Sequence, residues 1–288
     1  MKFLQRRVSN LIFKFKYNIN NKEWEQHFLT LDYENDGVYR QKELVKIIKD
    51  SIVHFALTPQ EFQSLINTKD IGEMERRSWE RISKAHKNTK GDYGELLLFL
   101  ILKVFFPTEK FVTKVRLRSS KKDQIKGFDC AHFSVEDDKI FLWLGEAKFH
   151  NNFSNAISGA IESIKEHCEF DYLSDEISIL GSNIELNKDF PEYQKIDEIL
   201  NGGKSLDSIK IKIPALLTYD CSVIKLHKNI TDTKFIEDMT TEFNKRVKTI
   251  EGQNLKLKPN IEVIFIILPL ESVRDIKDHL QKMEELLR

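Results

Sequence analysis

"LWLGEAKFH", residues 142–150, begins like a strand buried on both faces and ends with two opposite charges two residues apart. Side chains alternate across a strand, so Glu146 and Lys148 share a face with Leu142 and Leu144, while Trp143, Ala147 and Phe149 take the other. Apolar residues on both faces mark a central strand. The stretch before it, "KGFDCAHF" at 126–133, reads as a strand joined to it through "SVEDDK" at 134–139. With Asp137 and Asp138 as a two-residue hairpin loop, Asp129 falls directly opposite Glu146, and the two carboxylates lie roughly 5 Å apart on one face. Like charges set opposite each other destabilise a sheet unless something positive lies between them. A divalent cation meets that need, and an open, oxygen-only site suits Mg²⁺, or Mn²⁺ in its place, when the metal also binds phosphate. A register slip of one residue would remove the pairing.

Lys148 then acquires a role. An ammonium beside such a cation orients or polarises a water for attack on phosphorus and stabilises charge developing on the phosphate. On its own, a Glu-x-Lys triplet is more often an ion pair at a strand end, but this one has company. "GDYGELLLFLILKVFFP", residues 91–107, carries Glu95 on a helix too apolar for a surface position. Asp92 followed by Glu95 also fits a capping box, so Glu95 is read both as a cap and as metal support.

Outward from this centre, hydrophobic periodicity predicts a helix over about 92–106 and strands over 111–118, 126–134 and 140–149. A helix follows at 153–168, then a polar, acidic, irregular stretch to about 208. Strand 210–219, helix 233–250, strand 261–268 and helix 271–287 complete the order, which implies a mixed α/β sheet covered by helices. Upstream, "NKEWEQHFLTL" (21–31), "KELVKIIKDSIVHF" (42–55) and "TPQEFQSLINTK" (58–69) carry apolar residues at three- and four-residue spacing, and Thr58 before Pro59 signals a helix start. The expected organisation is a helical N-terminal region, 1–88, and an α/β domain, 89–288.

Composition narrows the setting. With 288 residues the chain is long enough for a substantial core, and its three cysteines are widely spaced and odd in number, which argues against a disulfide or zinc framework and for a reducing, cytoplasmic compartment. The basic N-terminus is too often broken by Lys to form a signal-peptide core, and no apolar run is long enough to span a bilayer. Lys plus Arg equals Asp plus Glu, at 45 each, yet the charge is polarised. Residues 76–126 hold fourteen basic and five acidic side chains, while 162–198 hold eleven acidic and three basic. A basic segment within a neutral whole is a local footprint for phosphate.

The order helix with Glu95, basic strand, strand with Asp129, strand with Glu146-Ala147-Lys148, then helix, resembles the core of the PD-(D/E)XK nuclease superfamily over roughly residues 89–170. That resemblance implies that Glu95, Asp129 and Glu146 bind Mg²⁺ and that Lys148 serves the attacking water, with "GFD" standing where the superfamily usually has "PD". More closely, "GDYGELLLFLIL", "GFDCAHF" and "LGEAKFH" resemble the HamA family, nuclease subunits of the Hachiman anti-phage defence system. The implied activity is a metal-dependent DNase without sequence specificity, held inactive by a HamB-type helicase until abnormal DNA releases it. The residues themselves carry only metal-dependent phosphodiester hydrolysis.

In "FVTKVRLRSSKK", residues 111–122, Lys114, Arg116 and Arg118 fall on one strand face, a cationic stripe suited to phosphates and blind to base sequence. Residues 76–90 would extend it, although a charged edge strand gives the same pattern. Two further motifs depart from their templates. "DYENDGVYRQKE", Asp32 to Glu43, follows the outline of a calcium loop but places Glu34 and Arg40 where that loop does not want them. "GGKS" at 202–205 lacks the earlier glycine of a P-loop and follows a predicted helix, so any ATP hydrolysis falls to a partner. Three classes remain: an Mg²⁺-dependent DNase, a catalytically silent nuclease-fold subunit used for binding, and a site-specific endonuclease, for which the sequence offers no specificity element.

Overall fold

A computed structural model describes residues 1–15, 25–85, 92–106, 108–113, 127–137, 139–182, 193–201 and 210–286. At its centre is a seven-stranded mixed sheet in the order β1-β2-β7-β6-β5-β4-β3. In chain order the strands are β1 (Ile12–Lys14), β2 (Glu25–Leu31), β3 (Glu109–Thr113), β4 (Cys130–Glu136), β5 (Lys139–Phe149), β6 (Lys210–Asp220) and β7 (Ile261–Leu270). β3, β4 and β5 pair antiparallel; β5, β6, β7 and β2 pair parallel; β1 closes the far edge antiparallel to β2.

The described helices are α1 (Lys2–Ser9), α2 (Gln41–Ala56), α3 (Pro59–Asn67), α4 (Ile71–Ala85), α5 (Asp92–Phe105), α6 (Phe153–His167), α7 (Phe170–Ser182), α8 (Tyr193–Asn201), α9 (Ser222–Leu226), α10 (Thr233–Glu251) and α11 (Val273–Leu286). One face of the sheet carries α5, backed by α1 and α2 through the Gln5 amide on the Lys103 carbonyl and the Phe55–Phe99 ring pair. α11 is fastened to the same side where the Tyr93 hydroxyl donates to Glu284 at 2.9 Å. The other face carries α6 and α10, linked by the Arg246 guanidinium stacked over Phe153 and Tyr219. Parallel strands covered on both faces read as continuous apolar runs, and β6 and β7 do so: Ile213 and Ala215–Leu217 are buried, as is all of Val263–Leu268. Two close approaches fix α5 on β5. A Cβ on Gly94 would sit 2.9 Å from the Phe149 Cβ, and one on Gly145 would meet Leu98 at 2.8 Å and the Cys130 sulfur at 2.6 Å.

The α/β class and the element order expected downstream of residue 92 stand. α5 is buried along Leu96–Leu102, as its composition required, and Thr58 opens α3 with a full capping box, its Oγ1 accepting from Glu61 N and Glu61 accepting from Thr58 N, both at 2.9 Å. Two expectations need correction. The described part of "NKEWEQHFLTL" is not helical: residues 25–31 form β2, which pairs with β7, so the sheet draws strands from both sides of residue 88. Phe28 through Leu31 are all buried, and a strand hidden on both faces carries no alternation to separate it from a helix. The stretch expected to be irregular after residue 168 holds α7 and α8, whose buried Leu173, Ile177 and Ile196 are apolar anchors dispersed among acids. The Asp32–Glu43 loop follows a strand, not a helix, and its last carboxylate, Glu43, accepts from the Arg7 guanidinium at 2.7 Å. "GGKS" lies outside the described residues; the helix expected before it is α8.

Candidate functional site

The hairpin register is the one required. Glu136 pairs with Lys139 across the turn, and the ladder continues to Cys130 opposite Gly145. Asp137 takes a left-handed conformation at φ 48°, which Asp tolerates in tight hairpins. One step further, just before β4 begins, Asp129 N donates to Gly145 O at 2.8 Å and the Asp129 Oδ2 accepts from Ala147 N at 2.8 Å, so Asp129 is held by the backbone on either side of Glu146. Both carboxylates are buried, at 8 % and 3 % exposure.

Glu146 and Lys148 face α6. The Lys148 ammonium lies 2.7 Å from Glu146 Oε1 and donates to the Ser163 hydroxyl at 3.0 Å, and its stem runs against Gly159. The second Glu146 oxygen, Oε2, is buried and has no hydrogen bond among the described residues; His167 Nδ1 lies 3.9 Å from it. His167 is stacked on Tyr172 and edge-on to Phe128, the residue before Asp129. Burial, and then the charge of Asp129, push the Glu146 carboxyl up to about 7; Lys148 and a hydrogen bond from Ser163 pull the other way.

Glu95 is buried near the start of α5, at 4 % exposure. It shares a neighbour with the other two acids: burial and then the charges of Asp129, Glu95 and Glu146 drive the Cys130 thiol well above its usual range. Three carboxylates thus bear on one buried sulfur. Burying acidic charge is costly without compensation, and among the described residues the Lys148 ammonium pairs with Glu146. Among the described residues, no group of three or more His, Cys, Asp or Glu side chains is set closely enough to hold a metal by protein ligands alone. The pair Asp129 and Glu146, with its unbonded Oε2, nevertheless fits Mg²⁺, which takes one or two carboxylates and fills its remaining positions with water and phosphate.

A family model, HamA, matches residues 7–283. The chain belongs to the HamA family. Its role therefore lies in anti-phage defence, in the setting of the Hachiman system. A comparison with curated proteins found no match. Among the described residues of this HamA-family chain, no helix is long and apolar enough to cross a membrane.

Lys114, Arg116 and Arg118 lie outside the described residues; β3, from which they continue, is an edge strand. The proposed extension of their stripe is weaker than the sequence implied, because Arg76 and Arg77 pair with Glu73, Arg76 also with Glu80, and Arg81 with Glu61. Sequence reasoning missed Ser163 and His167. They stand four residues apart on α6, with Gly159 four residues before, so one helix stripe runs under Glu146 and Lys148. That spacing was legible, but only the register of α6 against β5 reveals which stripe faces the sheet.

Proposed function

We propose that this chain is an Mg²⁺-dependent deoxyribonuclease, hydrolysing DNA phosphodiesters without sequence specificity and kept silent by a HamB-type helicase until abnormal DNA releases it. The observation that carries this reading is Asp129, held at the start of β4 against the backbone on either side of Glu146, with the Lys148 ammonium 2.7 Å from Glu146. Asp129 and Glu146 would hold the cation, and Glu95 would bear on it from the start of α5 without joining them as a third close ligand. Bound there, Mg²⁺ would lower the pKa of its water and neutralise phosphate charge. The protein's own groups do the rest. Lys148, 21 % exposed, keeps an ammonium at the mouth of the site to orient the attacking water and stabilise the charge gathering on phosphorus. Buried walls from α5 and α6 keep the carboxylates from relaxing away from one another. The absence of a P-loop pattern in the sequence leaves ATP hydrolysis to the helicase.

Cleavage of linear and plasmid DNA by the full chain, alone and with a HamB-type helicase, tests the reading. Products are expected in Mg²⁺ and not in EDTA, and Lys148→Ala should slow their appearance by about 10²–10³-fold. Cutting in EDTA, or wild-type cutting by Lys148→Ala, would overturn it.

A further inference from the structure

We propose that Ser163 is a positioning residue for the reaction, acting through Lys148. The inference rests on the nuclease reading above. A lysine ammonium has three donors on a long, freely rotating stem, so a single ion pair leaves it poorly located. Here two of the three are spoken for: one toward Glu146 Oε1 at 2.7 Å and one to Ser163 Oγ at 3.0 Å. That leaves one donor for a water or a phosphate oxygen, and the side chain is exposed enough to offer it.

The helix carrying Ser163 is held rigidly. Asn152 caps α6 by accepting from Asn155 N at 3.1 Å, and Phe153, Ala156, Ile157, Ala160 and Ile164 are buried along it. One turn before Ser163, Gly159 leaves room beside the Lys148 stem, where an added Cβ would come within 3.5 Å of the Lys148 Cε; one turn after, His167 borders the other Glu146 oxygen. The hydroxyl therefore reaches Lys148 from a capped helix and fixes the ammonium relative to Glu146. A displacement of about 1 Å in a reacting geometry costs on the order of 10²-fold in rate, which sets the scale of what a misplaced ammonium would lose.

Two measurements on the full chain test this. The first is the Lys148 ammonium cross-peak in ¹H–¹⁵N NMR of metal-free protein, assigned by its loss in Lys148→Ala. The second is steady-state DNA cleavage in Mg²⁺ with the helicase present. The cross-peak should be present in wild type, vanish in Ser163→Ala and return in Ser163→Thr. In parallel, kcat should fall by about 10- to 10²-fold in Ser163→Ala with KM little changed, and recover in Ser163→Thr. Persistence of the cross-peak in Ser163→Ala, its absence from wild type, or an unchanged kcat overturns the proposal. If the cross-peak behaves as expected but wild type never cuts, the nuclease reading fails, and with it the catalytic role, while the hold of Ser163 on Lys148 stands.

Discussion

Asp129 is locked to the backbone on either side of Glu146, donating its N–H to Gly145 O and accepting at Oδ2 from Ala147 N, both at 2.8 Å. The charge of Asp129 bears on the buried Glu146 carboxyl, against the pull of the Lys148 ammonium. Asp129→Asn keeps a carbonyl to accept from Ala147 and removes the charge. The variant should be more stable than wild type in EDTA, by about 1 kcal/mol, and should gain less from added Mg²⁺. Thermal melts with and without Mg²⁺ check both parts; a variant less stable in EDTA would contradict the repulsion between the two acids.

Glu146 titrates at about 7 in the fold against an ordinary 4.5. Between those values the native state holds more protons than the unfolded chain, so stability falls as pH rises through the window. The full difference is worth about 3 kcal/mol, present below about pH 4.5 and lost above about pH 7. Metal-free wild type should therefore melt at a lower temperature at about pH 8 than at about pH 5.5, and Glu146→Gln should lose most of that slope. Parallel pH dependences in wild type and variant would remove the buried, repelled carboxylate from the explanation.

Gly145 lies on β5 directly before Glu146, where α5 packs closely against the strand. An alanine there would press its methyl into the Cys130 sulfur and Leu98, forcing β5 and α5 apart at a cost of about 1–3 kcal/mol. Gly145→Ala should lower the melting temperature and also weaken Mg²⁺ stabilisation, because Glu146 is the next residue. Denaturant titration checks the first and melts in Mg²⁺ the second; a variant as stable as wild type would show that the contact yields freely.

Much of this was legible in one stretch of sequence. The alternation in "LWLGEAKFH" and the expected tight turn after Glu136 were enough to set the register as far as Cys130 opposite Gly145, because the pairing of a tight hairpin is fixed by counting. What could not be counted was hidden by burial or distance. β2 lost its alternation by being covered on both faces, and it joins the sheet beside β7, more than two hundred residues away in the chain. Ser163 and His167 look like ordinary helix residues until the crossover of α6 from β5 to β6 turns their stripe toward the acids.

The basic stripe after β3 makes a separate prediction. If Lys114, Arg116 and Arg118 contact phosphates, replacing all three with Gln should weaken binding to unrelated DNA sequences about equally. Each lost contact should flatten the fall of log affinity with log salt by roughly 0.9 on duplex and 0.7 on single strands. A salt titration of wild type and triple variant decides it, since a charged edge strand with no part in binding would leave the two slopes identical.

The central claim is that Asp129 and Glu146 share one divalent cation, and Mn²⁺ titration followed by the electron paramagnetic resonance of the free ion tests it without requiring the silenced protein to cut. Wild type should remove about one Mn²⁺ per chain from the free signal, in competition with Mg²⁺, while Asp129→Asn combined with Glu146→Gln should remove none. Equal uptake by wild type and the double variant would place the cation elsewhere and contradict the site.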